Sequence, residues 1–348
     1  MMHTRYFDLR DTKGQQKIIE DQISAAADIL RQGGLVGIPT ETVYGLGANA
    51  LDAEAVNKIF EAKGRPMDNP LIVHIADWDT LPRLAAEIPD TAVKLARAYW
   101  PGPLTMIFPK GPRIPDEVSA GLPTVAVRMP SHPVARAVIR ESGLSLAAPS
   151  ANRSGSPSPT TAAHVLADLD GRIAAVVDGG ECSVGVESTV VLLTDGRVRL
   201  LRPGGVTLGM LERVVGPVEV DPAVTHRLAD GAQAASPGMK YKHYAPKARV
   251  VLVKGTPDAY AAYVNARAGE GVAALCFDED QAALRVPCVP YGGRQDPAAQ
   301  AKGLFGALRE LDRRGFTLAY AACPREEGLG LAVYNRLLRA SGFEVIGL

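Results

Sequence analysis

The sequence predicts an α/β protein that is built from two domains. The chain has 348 residues, which is more than one hydrophobic core usually organises, so its length favours two domains. After about residue 249, short apolar strand patterns alternate with amphipathic helix patterns, as in a small parallel α/β domain. Apolar strand patterns of the first half end in loops that carry Thr, Ser, Arg or Lys. We expect a first domain over residues 15–212, a linker over 213–247 and a second domain over 248–348.

Turn and capping residues bound the predicted elements of the first domain. Asp52 is a suitable N-cap for a helix that ends at Gly64, and Ser158 followed by Pro159 is a suitable start for a helix through Leu169. The Asp195-Gly196 pair predicts a tight hairpin. The other predicted helices of this domain cover residues 16–32, 89–99 and 131–143. Its predicted strands cover residues 35–38, 124–129, 144–148, 174–177, 186–193 and 198–201.

The linker and the second domain differ in their patterns. From about residue 216 to 246 the apolar periodicity is weak, but Ser236–Pro246 interleaves lysine, histidine and tyrosine too specifically for a mere spacer. Three interpretations stay open for it: a strip that stacks on RNA, a segment packed on a domain, or a lid over a nucleotide. In the second domain we predict strands at 249–253, 272–277 and 316–320, and helices at 257–268, 298–314 and 329–340.

Composition limits the classes of partner. Lys plus Arg and Asp plus Glu number 38 each, so the formal net charge is +0, and a cationic site must be local. The four cysteines are far apart, which disfavours a disulfide framework or a zinc site and favours a reducing compartment. No apolar run is long enough to cross a bilayer. We therefore expect a cytoplasmic protein without a membrane partner.

The most informative stretch is residues 39–74. It contains Pro-Thr-Glu-Thr-Val-Tyr-Gly-Leu-Gly from Pro39, Lys-Gly-Arg-Pro from Lys63, and Asn-Pro-Leu-Ile-Val-His from Asn69. Hydroxyls, cations, an amide and an imidazole around glycine-rich backbone suit a polyanion held beside a small polar molecule. Lys63 and Arg65 are the best phosphate candidates. The alternative is that the two cations only interact favourably with the negative, C-terminal end of the helix dipole, which stabilises a helix by about 0.3–1 kcal/mol.

Polar residues recur where predicted strands end. Strand ends are where α/β folds place ligands, because a rigid sheet positions the loops. Taken singly, each serine or threonine is more simply a cap and each arginine a solvated side chain; their recurrence favours a site. His74 follows an apolar strand, and a packing role is its simpler interpretation. These residues are Thr40, Thr42, Arg128, Ser150, Ser188 and Arg202.

Several familiar catalytic patterns are absent from the sequence. It contains no Gly-x-x-x-x-Gly-Lys-[Ser/Thr] loop, no His-Glu-x-x-His and no Gly-x-Ser-x-Gly. If the protein uses ATP, it does so without a P-loop.

The motifs together resemble the YrdC/Sua5 family of threonylcarbamoyl-AMP synthases. Besides the segments from Pro39, Lys63 and Asn69, the resemblance rests on Ala-Pro-Ser-Ala-Asn at 148–152 and Glu-Ser-Thr-Val at 187–190. The Ser236–Pro246 segment and the Gly-Leu-Gly-Leu-Ala…Asn-Arg pattern of 328–336 are similar to the longer, two-domain form. The resemblance implies a YrdC-like twisted mixed sheet with helices and a concave cationic pocket as catalytic domain, followed by a small Rossmann-like parallel α/β domain.

The resemblance also implies a reaction and a set of site residues. L-threonine, bicarbonate and ATP would give threonylcarbamoyl-adenylate and pyrophosphate with Mg²⁺, and the product would feed the t6A modification of tRNA through a downstream transferase, with tRNA itself bound weakly or indirectly. Lys63 matches the lysine of the family's Lys-x-Arg element, near phosphate and bicarbonate, and the resemblance implies Lys63 and Arg65 as the catalytic residues. The residues that match threonine-contacting positions are Thr42, His74, Arg128, Ala148 and Ser188. Those that match ATP-contacting positions are Arg65, Asn69, Thr124, Ser150, Ser158, Arg202 and Tyr241.

Two rival functions remain. An RNA-binding module would use the same basic concavity and would bind RNA tightly, with a steep dependence on salt. A carbamoyl-transfer enzyme of the hydrogenase-maturation type contains a similar domain, but such proteins carry additional zinc-finger-like cysteines that this sequence lacks.

Overall fold

A computed structural model describes residues 3–10, 16–194, 196–227 and 244–348. Its strands form one 11-stranded sheet and one 5-stranded sheet. None of the helices in these ranges is long and apolar enough to cross a membrane.

The first domain combines a long sheet with helices on both of its faces. Its helices are α1 (Gln16–Arg31), α2 (Ala53–Lys63), α3 (Asp90–Tyr99), α4 (Asp116–Ser119), α5 (Pro133–Ser142), α6 (Ala162–Leu169) and α7 (Leu208–Val215). Its strands are β1 (Arg5–Asp8), β2 (Val36–Ile38), β3 (Gly45–Asn49), β4 (Ile72–His74), β5 (Leu104–Pro109), β6 (Thr124–Arg128), β7 (Leu146–Ala147), β8 (Ala175–Asp178), β9 (Thr189–Thr194), β10 (Arg197–Arg202) and β11 (Val218–Val220).

Strand directions in the first sheet are mixed, as the family resemblance implies. The order is β1-β8-β2-β3-β7-β4-β6-β5-β9-β10-β11. Pairs such as β4 with β6 are parallel, whereas β3 with β7 and β5 with β6 are antiparallel. Neighbouring residues of a strand point to opposite faces, so Leu146 packs into the core that includes α1 and α5, and Ala147 into the core that includes α2.

The second domain is a parallel sheet with crossover helices, and the predicted fold class is confirmed. Its strands run in the order β14-β13-β15-β12-β16, and every pair is parallel. The strands are β12 (Arg249–Lys254), β13 (Val272–Cys276), β14 (Cys288–Pro290), β15 (Leu318–Ala322) and β16 (Val345–Gly347). The helices are α8 (Pro257–Asn265), α9 (Pro297–Arg313) and α10 (Gly330–Ala340).

Two predicted starts differ from the structure by three residues or more. Helix α6 begins at Ala162 rather than near Ser158, and its N-cap is Thr161, whose side chain accepts a hydrogen bond from the backbone N–H of His164. The Ser158 hydroxyl points elsewhere and bonds Glu187, so Ser158 offers no helix N-terminus to an anion. Strand β9 begins at Thr189 instead of residue 186, which leaves Ser188 in the loop before the strand.

The end of the first sheet was not predicted from the sequence. The expected domain end at residue 212 falls inside α7, and β11 then pairs with β10 in the first sheet. A short helix and a three-residue strand give too little periodicity to be recognised in this weakly patterned region.

The two domains pack closely against each other. Val43 and Val186 of the first domain belong to the hydrophobic core of the second. At Gly185 the chain lies so close to α9 that an added Cβ would stand 2.6 Å from the carbonyl oxygen of Ala301. Arg309 of α9 pairs with Asp168 of α6 at 2.7 Å. The interface between the domains is therefore packed continuously with the core of the second domain, and it is not a loose hinge.

Candidate active site

A cavity lies where strand ends of the first sheet face the second domain, and eight predicted site residues line it. These are Thr42, Arg65, His74, Arg128, Ala148, Ser150, Ser188 and Arg202. Its remaining lining residues are Thr40, Val43, Gly45, Ile72, Pro149, Glu187 and Tyr244. Three guanidinium groups thus meet in one recess of a chain whose net charge is zero.

One end of the cavity is organised by the loop that follows β2. The Thr40 hydroxyl accepts hydrogen bonds from the backbone N–H groups of Thr42 and Val43 at 3.2 and 3.3 Å, which fixes a tight turn. Arg128, at the end of β6, donates to the Thr42 hydroxyl at 2.8 Å and pairs with Glu41 at 2.8 Å. Arg128 and Glu41 are both buried. Such a cation, held by a fixed carboxylate, can bind a second carboxylate.

His74 faces the same end in its neutral form. It ends β4, next to Arg128 in the neighbouring strand β6. Burial, followed by the charge of Arg128, lowers the pKa of His74 to about 3. Its Nδ1 lies 3.3 Å from the carbonyl oxygen of Ile72, so a proton on Nδ1 would leave Nε2 as an acceptor. At neutral pH His74 is a hydrogen-bonding group and not a cation.

The opposite wall is built by Ser188 and Arg202. The Arg202 Nε donates to the backbone oxygen of Ser188 at 3.0 Å, and its Nη2 donates to the Ser188 hydroxyl at 3.1 Å. The same hydroxyl lies 2.8 Å from the hydroxyl of Thr105. Burial lowers the pKa of Arg202 to about 10. This guanidinium therefore stays charged at neutral pH and is oriented before any ligand arrives.

Arg65 enters the cavity just after the end of α2. Gly64 takes a left-handed conformation with φ of 61° and ends the helix, which directs the chain toward Asn69 and Pro70. The Arg65 Nη2 donates to the carbonyl oxygens of these two residues at 3.0 and 3.3 Å. Its Nε is buried and makes no hydrogen bond within the described residues. A buried N–H donor of this kind costs free energy until it meets an acceptor, such as a phosphate oxygen.

Lys63 does not line the cavity. Its Nζ is buried and donates to the backbone oxygens of Ser150 and Asn152 at 2.5 and 2.6 Å. Burial, and then the charge of Arg65, lowers its pKa well below the usual range. In this arrangement Lys63 fixes the loop that carries Ser150 into the cavity. A direct contact between Lys63 and phosphate stays a prediction.

Three further predicted residues, Asn69, Thr124 and Ser158, lie outside the lining. Asn69 is buried and contributes its backbone oxygen to Arg65, while Thr124 begins β6, at the opposite end of that strand from Arg128. Ser158 is buried and reaches the cavity only through Glu187. Tyr241 lies outside the described residues, as does most of Ser236–Pro246. The ATP roles of these residues stay predictions.

The sequence analysis did not assign roles to Glu41, Glu187 and Tyr244. Glu41 and Glu187 stand beside predicted residues in quoted motifs, and their pairing with arginines follows only from the fold. Tyr244 has a positive φ of 64° and is buried, with its ring 5.4 Å from that of Phe305 in α9. It brings the chain that enters the second domain to the wall of the cavity.

A resident metal site does not fit the described residues. No group of three or more His, Cys, Asp or Glu side chains within them could hold an ion. The two carboxylates nearest the cavity, Glu41 and Glu187, are each paired with an arginine at 2.8 Å. Mg²⁺ usually keeps several waters and binds through substrate phosphates. The expected Mg²⁺ is therefore treated below as part of the nucleotide substrate.

Comparison with known proteins agrees with this geometry. Residues 28–204 match a family profile described as telomere recombination, which covers the Sua5, YciO and YrdC proteins, and residues 206–342 match the C-terminal domain of threonylcarbamoyl-AMP synthase. The threonylcarbamoyl-AMP synthase of Pyrococcus abyssi is 48% identical over 95% of this chain and 97% of its own. The chain belongs to the YrdC/Sua5 family.

A second relative and a solved structure support the same assignment. The threonylcarbamoyl-AMP synthase of Bacillus subtilis is 47% identical over 94% of this chain and 95% of its own. The crystal structure of P. abyssi Sua5 complexed with L-threonine superimposes with a TM-score of 0.90 at 46% identity, covering 99% of this chain and 100% of that one. Both the predicted family and the two-domain form are confirmed.

Proposed function

We propose that the protein is a threonylcarbamoyl-AMP synthase, a nucleotidyltransferase that converts L-threonine, bicarbonate and ATP to threonylcarbamoyl-adenylate and pyrophosphate. The observation that carries this proposal is the meeting of Arg65, Arg128 and Arg202 in one recess with the hydroxyls of Thr42 and Ser188. Two anions that repel each other in solution need such a surface in order to be held together.

The chemistry requires positioning and charge neutralisation. The amine of threonine takes up CO₂ from bicarbonate to give a carbamate, and a carbamate oxygen attacks the α-phosphorus, displacing pyrophosphate. Since the carbamate is already an anion, no serine–histidine pair is needed to activate it. Arg128 and Thr42 suit the carboxylate of threonine, whereas Arg65 and Arg202 suit the phosphates.

The proposal also includes a magnesium ion, the fate of the product and the compartment of the reaction. Mg²⁺ would enter bound to the phosphates of ATP and would neutralise charge on the leaving pyrophosphate. The product, a reactive mixed anhydride, would pass to a transferase that builds t6A on tRNA, with tRNA contacting this protein weakly or indirectly. We place the reaction in the cytoplasm, where such a transferase meets tRNA.

Product formation tests the proposal directly. With ¹³C-bicarbonate, L-threonine and Mg·ATP, mass spectrometry should detect labelled threonylcarbamoyl-adenylate together with pyrophosphate. Omitting any one substrate should abolish the product, and L-alanine should not replace threonine. Pyrophosphate release that proceeds equally well without threonine would contradict the proposal.

A further inference from the structure

The second domain reaches the active site through a polar face of α10. Asn335, Arg336 and Arg339 are all buried, although arginine is seldom buried without partners. Val333, Leu337 and Ala340 of the same helix pack into the core of the second domain. Helix α10 is buried on both faces. Its apolar residues face the second domain, and its polar residues bind the first domain and the segment that follows β11. Asn335 and Arg339 donate to the backbone oxygens of Val224 and Ala223 at 2.7 and 2.8 Å.

Arg336 makes the contacts nearest the cavity. Its Nε pairs with the Glu187 carboxylate at 2.8 Å, its Nη2 donates to the Glu187 backbone oxygen at 3.1 Å, and its Nη1 donates to the Pro203 oxygen at 2.8 Å. Glu187 precedes Ser188, and Pro203 follows Arg202. One guanidinium therefore ties together the two segments that present Ser188 and Arg202 to the cavity.

Glu187 extends this arrangement to Ser158. The Ser158 hydroxyl donates to Oε1 of Glu187, while Arg336 occupies Oε2. Burial by itself would raise the pKa of Glu187, but the charges of Arg336 and Arg202 outweigh it and the pKa is lowered. The carboxylate is thus ionised, and its two oxygens connect the second domain to a residue that matches an ATP-contacting position.

We propose that Arg336 is a positioning residue supplied by the second domain, which sets the affinity for ATP by fixing the Glu187–Ser188 and Arg202–Pro203 segments. The inference rests on the proposed function, because it takes ATP as the ligand of this wall. It also gives the second domain a role in the reaction: the wall on which the nucleotide binds is completed by a side chain from outside the catalytic domain.

Kinetics of three variants separate positioning from simple stabilisation. Arg336→Met should lower kcat/KM for ATP by about ten-fold or more, since Glu187 is left buried with one cation fewer. The effect should appear in KM for ATP, because Arg202 and Ser158 match ATP-contacting positions, and also in KM for threonine, because Ser188 matches a threonine-contacting position. Arg336→Lys should be intermediate, because an ammonium cannot span all three acceptors with the geometry of a planar fork. Leu311→Ala, a core truncation in α9 at a residue that does not line the cavity, is the control for lost stability.

The pH profile gives an independent readout. In Arg336→Met the pKa of Glu187 should rise, so the acid limb of kcat/KM for ATP should move to higher pH. Adding Glu187→Gln should remove that movement, and the double variant should recover part of the ATP affinity because no unpaired carboxylate remains. A loss of stability alone would reproduce neither effect.

The outcomes separate this inference from the proposed function. If wild-type protein neither releases pyrophosphate with threonine nor binds ATP by calorimetry, the proposed function fails and the inference falls with it. If wild type is active but Arg336→Lys and Glu187→Gln match the Leu311→Ala control in ATP kinetics, only the inference is overturned. These two variants decide the matter even if Arg336→Met does not fold.

Discussion

Arg128 is the residue on which the threonine end of the cavity depends. Its guanidinium is buried, paired with Glu41 and bonded to Thr42, and so it is fixed before substrate arrives. A strand pattern that ended in a cation was enough to single out Arg128 in the sequence. Its partner Glu41 could not be assigned, because 87 residues of chain separate the two and only the sheet brings them together.

Replacing Arg128 should impair threonine use specifically. We expect Arg128→Ala to reduce kcat/KM for threonine by an amount equivalent to about 2–5 kcal/mol, the usual cost of truncating a buried charge pair. Steady-state pyrophosphate release at varied threonine measures this. Combining it with Glu41→Gln avoids an unpaired carboxylate if the single variant folds poorly. Arg140→Ala, which removes an exposed pair with Asp77, is the control, and an equal effect there would contradict the role of Arg128.

His74 should leave a signature in stability as well. Its pKa is about 3 in the native state and 6.5 ordinarily, so the unfolded chain binds more protons between these values. The free energy of unfolding should therefore fall as pH drops below about 6.5, with a slope of at most about 1.4 kcal/mol per pH unit from this group. Urea unfolding between pH 7 and 5 should show a shallower pH dependence for His74→Gln. Identical slopes in the wild-type protein and His74→Gln would refute a buried neutral His74.

Lys63 shows where residue-level reasoning stopped. The sequence places a lysine beside an arginine at a helix end, which suggests two phosphate ligands. The fold instead buries Nζ against the carbonyl oxygens of Ser150 and Asn152. No local pattern could reveal this, because those acceptors lie about ninety residues further along the chain, and their loop is placed by tertiary contacts.

At the scale of the elements, a helix end was predictable where no distant residue competed for its capping side chain. For α2, Asp52 accepts hydrogen bonds from Glu54 and Ala55 and Gly64 takes the left-handed conformation, as the sequence indicates. For α6 the sequence analysis named Ser158 as the cap, whereas the structure uses Thr161. The buried Glu187 engages Ser158, which leaves the cap to Thr161. Competition from a distant residue is invisible in a local pattern.

The contact between Gly185 and α9 should be sensitive to a single methyl group. Gly185→Ala would place Cβ 2.6 Å from the Ala301 oxygen, and the φ of +81° adds backbone strain. Gly155→Ala is a matched control, because its φ is +86° and nothing lies within 4 Å of an added Cβ. We expect Gly185→Ala to lose about 1–3 kcal/mol more unfolding free energy than Gly155→Ala. Equal urea midpoints for the two variants would show that the domains do not pack as described.

At the scale of the whole molecule, the second domain was the easier prediction. Its strands and helices alternate over short distances, so the periodicity of the sequence already indicates a parallel sheet. The first sheet pairs β1 with β8, whose residues lie about 170 positions apart. Long-range pairings of this kind set the strand order, and the mixed directions followed only from the family resemblance.

The cavity follows the same rule. Seven of its lining residues, Thr40 among them, could be named because they follow a strand or helix pattern, and His74 and Ala148 followed from the family resemblance. The sequence does not show that these residues share one location. It also does not show that Glu187 of the first domain and Arg336 of the second form an ion pair beside the cavity. The net charge of zero gives no indication that three arginines lie within a single recess.

A crystal structure with L-threonine and a non-hydrolysable ATP analogue tests the central claim most directly. We expect both ligands in the one cavity, with the threonine carboxylate against Arg128 and Thr42 and the phosphates against Arg65 and Arg202. The threonine nitrogen should lie close enough to the α-phosphorus for the carbon and one oxygen of a carbamate group to connect them. Threonine and nucleotide bound in separate recesses, without a shared boundary, would contradict the account.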